Sequence, residues 1–495
     1  MDKINVLLIG LGPHAKRIYY PICERDGKTY NIQLVYAVDL EEKRVDITKY
    51  LAKKADTSTQ VYFIPPQDRT YERLSSTVEE KLNQIVKQFN IKGVIIATEP
   101  QVHKMYADWA LKWGLSVLMD KPLSIHKNIS TDPQIPQKLV TDYQELKSAY
   151  LASKRKYKRV LFSLMAQRRW HPAFIKIKSL IAEVFERTNC PVTSIQTFHA
   201  DGQWRLPSEI VDIDYHGYNQ GFGKCSHSGY HFFDIVTWLL EAGESIEKPI
   251  DNVDIFTNFL RPNDFLHQIN LKDYQNIFPD FKTQNKYPEK KLQNLFKNYA
   301  EIDAFSSFAF KHDDKIQTLA NINLAHNSYS QRGWLSVSGK DLYKGNGRLR
   351  HENHFIEQGP FQVISFISYQ SKEVDPSKTQ GLYDVGGEYH LDIHVFRNNS
   401  LFPKWKAYEK ISIRDLNNKV MTGKSRGHQE DARRQAVVEF FKFLSGEKII
   451  QVSDLLDHER STKLMSGVYQ SAANRFNGKN PVVNISFQKL ITKQK

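Results

Sequence analysis

Near the start of the chain, Ile4-Asn5-Val6-Leu7-Leu8-Ile9 runs almost wholly apolar and branched, then stops at Gly10-Leu11-Gly12-Pro13-His14-Ala15. Such a run suits a parallel strand buried on both faces. A G-x-G-x-x-A loop straight after it narrows the architecture further. Gly10 permits a tight turn, Gly12 lets the backbone approach a pyrophosphate at a helix N-terminus, and Ala15 lets that helix pack close to the strand. Free N–H groups and the helix dipole favour an anion there. Pro13 removes one of those donors. Gly10, Gly12, Pro13, His14 and Ala15 are therefore candidate nucleotide contacts.

The same grammar recurs downstream. Gln33 to Val38 is a second apolar run ending at Asp39, and Gly93 to Ala97 a third ending at Thr98. Gln101 to Lys112 carries Val102, Tyr106, Trp109 and Ala110 at helical spacing, with Gly114 beyond its end. Leu115 to Met119 reads as the next strand and Leu161 to Leu164 as another. Strand, helix, strand in repetition predicts an α/β fold with a doubly wound parallel sheet, the Rossmann arrangement. Asp39 ends the second strand, where a carboxylate accepts ribose hydroxyls and repels a 2′-phosphate. That favours NAD, while Lys43 and Arg44 close by leave NADP open. Residues 64–84 and 126–138, the latter with Pro133 and Pro136, are expected as loops.

A chain of 495 residues exceeds one core, and two unequal domains are expected, 1–165 and 166–495. Beyond Met165 the pattern changes to aromatic-rich strands such as Phe305 to Phe310 and Phe361 to Tyr369. Pro262 to Lys291 shows no clear period, and Glu430 to Leu444 and Ser453 to Ala473 read as amphipathic helices. The net charge of +14 could suit nucleic acid, but the one tight basic cluster, Lys154 to Arg159, reads as a solvated helix end. No run approaches the roughly 18–20 apolar residues of a membrane span. The opening residues do not have the form of an export signal. Three scattered cysteines, Cys23, Cys190 and Cys225, suit a reducing, cytoplasmic setting. The expected partner is a small molecule, with neither nucleic acid nor membrane involved.

After these motifs comes Met119-Asp120-Lys121-Pro122-Leu123, directly off a strand. In order, the glycine loop, Asp39, Ala97-Thr98-Glu99-Pro100 with His103, and Asp120-Lys121-Pro122 resemble the Gfo/Idh/MocA oxidoreductase family, whose own motif at the last position is Glu-Lys-Pro. Gln167-Arg168-Arg169-Trp170-His171-Pro172, Gly229-Tyr230-His231-Phe232-Phe233-Asp234 and Tyr469-Gln470-Ser471-Ala472 extend the resemblance. It covers most of residues 1–240 and returns at 430–475. The resemblance implies a second α/β domain built on a large, mostly antiparallel open sheet, with the active site between the domains. It adds Thr98, Pro100, His103, Asp120 and Lys121 to the cofactor set and places Gln167, Arg168, His227 and His231 in the substrate pocket. It also implies a homo-oligomer formed through the open sheet face.

Oxidising an alcohol needs a base at its oxygen and a hydride acceptor at its carbon. By resemblance Lys121 stands beside the nicotinamide and the substrate hydroxyl, and His231 exchanges the proton, with Asp234 three residues on able to orient its ring. His227 occupies the position where many members of the family carry an aspartate, so the relay, the substrate class or catalysis itself could differ. His227 with His231, and His390 with Asp392 and His394, have spacings a metal could use, but neither set has a further complement of ligands, and no metal is expected. The implied activity is an NAD(P)-dependent dehydrogenase or reductase acting on a sugar, cyclitol or related polyhydroxylated compound. The alternatives are a redox-neutral NAD-using elimination or hydrolysis, and an inactive nucleotide-binding regulator.

Overall fold

The computed structural model describes residues 3–54, 58–202, 206–212, 217–278, 281, 285–330, 349–371, 381–417 and 427–487. The chain divides into two units, each assembled from separated segments. Met1–Ile125, Lys138–His171 and Ser425–Thr462 form the first, and His126–Gln137, Pro172–Lys424 and Lys463–Lys495 the second.

In the first unit β1 (Ile4–Ile9), β2 (Ile32–Leu40), β3 (Gln60–Ile64), β4 (Ile91–Ile96), β5 (Ser116–Met119) and β6 (Phe162–Leu164) make one sheet in the order β3-β2-β1-β4-β5-β6. Every pairing in it is parallel. Val6, Leu7 and Leu8 have no exposed surface, as strands covered on both faces require. The strand order reverses between β1 and β4, where a sheet of this type opens a crevice at its carboxyl edge.

Part of the stretch 64–84 departs from the expected loop. Ser76–Phe89 is a helix, with the Ser75 hydroxyl accepting the Val78 N–H and with Val78, Leu82, Ile85 and Val86 turned inward. That apolar spacing is helical but is diluted by polar neighbours and preceded by an irregular turn. Residues 126–136 are turns as expected, and the helix Gln137–Lys156 follows. Lys154, Arg155 and Lys156 form its solvent-exposed last turn. Arg159 then caps another helix, donating to the carbonyls of Phe443, Gly446 and Glu447.

That other helix, His428–Leu444, lies far along the chain yet belongs to the first unit. Ala432, Ala436, Val437, Phe440 and Phe441 share one core with Val6, Leu8, Ala15 and Leu118. Arg434 grips the buried Asp26 at 2.6–3.0 Å. The structural division therefore differs from a cut at 165/166. Residues 166–171 and the late helix join the first unit because their apolar and charged partners are there, and 126–137 joins the second.

The second unit holds β7 (Ser194–Ala200), β8 (Asn252–Leu260), β9 (Asp303–His312), β10 (Lys315–Ala325), β11 (Leu349–Gln358), β12 (Gln362–Ser371), β13 (Asp392–Arg397), β14 (Tyr408–Ser412) and β15 (Val483–Ser486). They form one sheet in the order β14-β13-β12-β11-β7-β10-β9-β8-β15, antiparallel except where β7 meets β10. Helices Pro172–Thr188 and Tyr230–Leu240 cover one face: Phe174 stacks on Phe366, and Phe232 packs against His199 and His354. Following the register from strand to strand puts Phe305, Leu319, Phe355, Phe396 and Tyr408 together on the other face, all exposed. The unassigned stretch after Pro262 folds as helices Pro262–Gln268, Leu271–Ile277 and Glu289–Leu295 around a small core of Phe265, Tyr274, Phe281, Leu292 and Phe296. Asn270 caps the middle one, accepting the N–H groups of Lys272 and Asp273.

Phe440→Ala is expected to destabilise the first unit by about 3–5 kcal/mol, because a fully buried ring is deleted from a core built of distant segments. A urea unfolding curve unmoved by this substitution would contradict that packing.

Candidate functional site

Four strand ends stand side by side at the carboxyl edge of the first sheet. The Gly10 N–H donates to Val38 O, the Ala97 N–H to Ile9 O and the Asp120 N–H to Ile96 O, each at 2.8 Å. Gly10, Asp39, Ala97 and Asp120 thus line one row along the crevice. Gly10 has φ +92°, and a Cβ there would lie 2.6 Å from Ala97 O, so both its backbone shape and its close approach demand glycine. Gly12 differs: a Cβ there would meet nothing within 4 Å. The space over its backbone is open, as a pyrophosphate lying on the helix start would need. Ala15 is fully buried against the core, and Pro13 opens the helix Pro13–Arg17.

Both carboxylate oxygens of Asp39 accept backbone N–H groups, Oδ2 from Leu11 and Oδ1 from Leu40, each at 2.7 Å. Burial raises its pKa, against the pull of those donors and of Lys43 and Lys16. A carboxylate so fixed at the end of β2, beside an open glycine turn, fits the adenosine ribose of a dinucleotide. Two of the neighbouring cations are engaged with other carboxylates. Arg44 forms a two-pronged pair with Glu41 and lies over the Phe63 ring, and Lys16 pairs with Asp46.

His103 ties two of the expected loops together. Its Nδ1 lies 2.8 Å from Pro122 O and its Nε2 3.0 Å from Thr98 O, with the ring fully buried. Burial lowers its pKa while Asp120 and the two carbonyls oppose that. Asp120 accepts the Lys121 N–H at 2.9 Å and lies 3.3 Å from His14 Nε2. Burial alone would raise the Asp120 carboxyl, yet His14, Lys121 and His103 hold it below its ordinary value. Lys121 is half-buried beside it, and Thr98 and Pro100 sit on the loop that His103 anchors. Gln167 and Arg168 are buried in the short turn Gln167–Trp170 of this same unit, in contrast to the expected placement in 166–495. Their neighbours Arg169 and Trp170 pin that turn to Val452, Asp457 and Glu439.

Residues 4–131 match the family model of the oxidoreductase family with an NAD-binding Rossmann fold, Gfo/Idh/MocA. The match spans the stretch that carries the first five strands of this sheet and the loops at their carboxyl edge. No curated protein matches the sequence. Among solved structures, levoglucosan dehydrogenase with NADH and L-sorbose is 11% identical with a TM-score of 0.56, over 99% of this chain and 100% of that one. The WlbA dehydrogenase of Bordetella pertussis with NADH and UDP-GlcNAcA is 13% identical, with a TM-score of 0.54, over 98% of both chains. Aldose-aldose oxidoreductase from Caulobacter crescentus with glycerol is 13% identical with a TM-score of 0.53, over 98% of this chain and 100% of that one. At these identities the likeness is one of fold.

In the second unit the segment around His231 starts in a π-helical turn, Cys225–Gly229, that runs into the helix Tyr230–Leu240. Such turns recur at functional sites. His227 lies on the turn, half-buried, and His231 and Asp234 on the helix, both buried. Gly223 leads into the turn so close to Glu301 that a Cβ would sit 2.1 Å from its carbonyl oxygen. The Glu301 carboxylate accepts the N–H of Gly223 and Cys225 and the Tyr469 hydroxyl.

Beside this turn is a cluster that sequence reasoning missed. His199 and Asp201 end β7, and His326 follows β10, its parallel neighbour. Lys224, with no exposed surface, donates to Asp201 Oδ2 at 2.5 Å and lies 3.2 Å from His199 Nδ1. His326 Nε2 is 3.2 Å from Asp201, and its Nδ1 pairs with the Tyr218 hydroxyl. Burial alone would raise the Asp201 carboxyl, but Lys224, His199 and His326 hold it well below the carboxylate range. The signals available were a lysine inside a glycine-rich turn and a His-x-Asp at a strand end, each commonplace alone.

Of the spaced metal-type residues, His390 accepts the Tyr369 N–H at Nδ1 and faces Asp392 at 3.4 Å, and His394 pairs with the Tyr408 hydroxyl. Among the described residues the grouping with metal-ligand geometry is Asp251, His312 and Asp313, at the opposite end of β9 and β10 from His326.

Asp303 tests the electrostatics. Burial pushes its carboxyl up to about 6, against the N–H bonds from Asn327 and His326. The folded state therefore holds a proton that the unfolded chain releases near about pH 4, and stability falls as pH rises through that window and stays lower above it. Asp303→Asn keeps an acceptor for both N–H groups. It is expected to add stability of order 2–3 kcal/mol above about pH 6 and none at acid pH, as read from urea unfolding across the range.

Proposed function

We propose that the chain is an NAD-dependent oxidoreductase that moves a hydride between the nicotinamide and a sugar, cyclitol or related polyhydroxylated molecule. The observation that carries this reading is the row of strand ends with open backbone at Gly12 and a pinned carboxylate at Asp39. Structures of the same fold include a levoglucosan dehydrogenase with NADH and L-sorbose and an aldose-aldose oxidoreductase with glycerol, which supports a polyol-like substrate.

When bound, the dinucleotide supplies the hydride acceptor or donor. This chain's residues do the rest. Asp39 accepts the ribose hydroxyls, and its charge disfavours a 2′-phosphate, with Arg44 and Lys16 already paired to carboxylates. Lys121 polarises the substrate oxygen, with its backbone N–H held by the Asp120 carboxylate. His231, with His227 one helical turn before it, takes the hydroxyl proton as the hydride leaves, and Gln167 and Arg168 offer donors to further hydroxyls. A second copy of the chain covers the exposed face bearing Phe305, Leu319, Phe355, Phe396 and Tyr408, since burying several exposed large apolar side chains on one sheet face removes them from water. Among the described residues no helix is long and apolar enough to cross a membrane.

Absorbance at 340 nm with NAD and a panel of sugars and cyclitols tests the activity. Lys121→Ala and His231→Ala are expected to lower kcat at least 100-fold while leaving the Kd for NAD within about threefold. Asp39→Ala should weaken NAD at least tenfold, about 1.4 kcal/mol, and narrow its advantage over NADP. Silence across the panel with NAD still bound would favour the regulatory reading, and product formed without net NADH would favour the redox-neutral one. Leu319→Glu should reduce the molecular mass measured by light scattering to that of one chain.

A further inference from the structure

The cluster on β7 and β10 is buried more deeply than structural need explains. Lys224 has no exposed surface and Asp201 only 8%, yet they form an ion pair within a few ångströms of two imidazoles, those of His199 and His326. A buried pair of this kind commonly contributes less to stability than apolar residues of the same size would. What it does accomplish is to fix His326. An ionised Asp201 only accepts, which places a proton on His326 Nε2 and leaves Nδ1 to accept the Tyr218 hydroxyl. The tautomer is thereby set by the Asp201 charge beside one edge of the ring and by the Tyr218 hydrogen bond at the other. Its centroid lies 5.8 Å from that of His227, with the ring planes tilted by 55°.

We propose that His326 is a positioning residue for His227: Asp201 and Tyr218 lock the His326 imidazole, and that ring sets where the His227 imidazole sits for proton exchange. The proposal rests, for its catalytic meaning, on the reading that His227 and His231 exchange the substrate proton. Among the described residues the titratable groups around His326 include Asp201 and His199 at the end of β7, Lys224 and His227 at the turn, Tyr218, and Asp303 where β9 begins. The proton released from a substrate hydroxyl stays on the His227 and His231 side, while the hydride goes to the nicotinamide. His326 neither gains nor loses one.

Two variants of the full chain test this. Tyr218→Phe keeps the buried ring and deletes one lock, and His326→Gln removes the imidazole. The measurement is the NMR titration of ¹³C-labelled histidine rings, followed by the pH profile of kcat. The expected result is a His227 midpoint moved by at least 0.5 pH unit in both variants, with NAD affinity unchanged within about twofold. Where turnover is measurable, kcat should fall about tenfold at constant KM and its pH profile should move with the His227 midpoint. Should His326→Gln fail to fold, Tyr218→Phe alone decides. A His227 midpoint and ring shifts identical to the wild type in a folded variant would overturn the proposal. A moved midpoint in a chain that is silent on every substrate would uphold the positioning and count against the oxidoreductase reading instead.

Discussion

The approach of β1 to β4 at Gly10 is the constraint on which the first unit depends. The Gly10 backbone, at positive φ and with no room for a Cβ beside Ala97, turns the chain out of the sheet at the point where the strand order reverses. That turn delivers the Leu11 N–H to Asp39 and leaves Gly12 open. A side chain at position 10 would push β1 and β4 apart, shifting Asp39 on one side and the loop with Thr98 and His103 on the other. Cofactor geometry and sheet packing are in this sense one property.

The sequence made the first sheet legible because its strands are buried on both faces and so read as unbroken apolar runs. Asp39, Asp120 and Lys121 were legible for a related reason: each ends or follows such a run, so strand placement alone puts it at the carboxyl edge. The late helix His428–Leu444 was visible as a helix, but the core it joins was not, since an amphipathic pattern says that a face is buried and not against what. That the turn carrying Gln167 and Arg168 groups with the first unit was hidden for the same reason. Their turn is fastened by side-chain bonds to residues some 270–290 positions on, which no local pattern records.

The second unit shows the limit more sharply. Alternating strands announced the half-buried sheet at Phe305 to Phe310 and Phe361 to Tyr369, whereas the order β7-β10-β9, which sets the parallel ends of β7 and β10 together, depends on long crossovers. The cluster of His199, Asp201, Lys224 and His326 exists only through that order. His199 and Asp201 lie over 120 positions before His326 in the chain and are brought to it by register, with Leu324 beside His199 and Ala325 beside Ala200. His227 and His231 were found through a motif contiguous in the sequence, whereas the residues that reach the same turn from the sheet belong to no such motif.

Burying Lys224 follows a physical logic of its own. A lone ammonium without solvent contact would lose its proton or unfold the turn, so Asp201 must stay ionised and close. An ionised Asp201, in turn, dictates the tautomer of His326, and the Tyr218 hydroxyl then has a single way to bond. Each group is chosen by the one before it, and the chain of choices begins at a charge that cannot leave. A neutral side chain at 224 would pack as well or better, but it would leave the orientation of His326 to compete among tautomers and rotamers. Rigidity of an imidazole beside His227, more than stability, is what the buried charge secures.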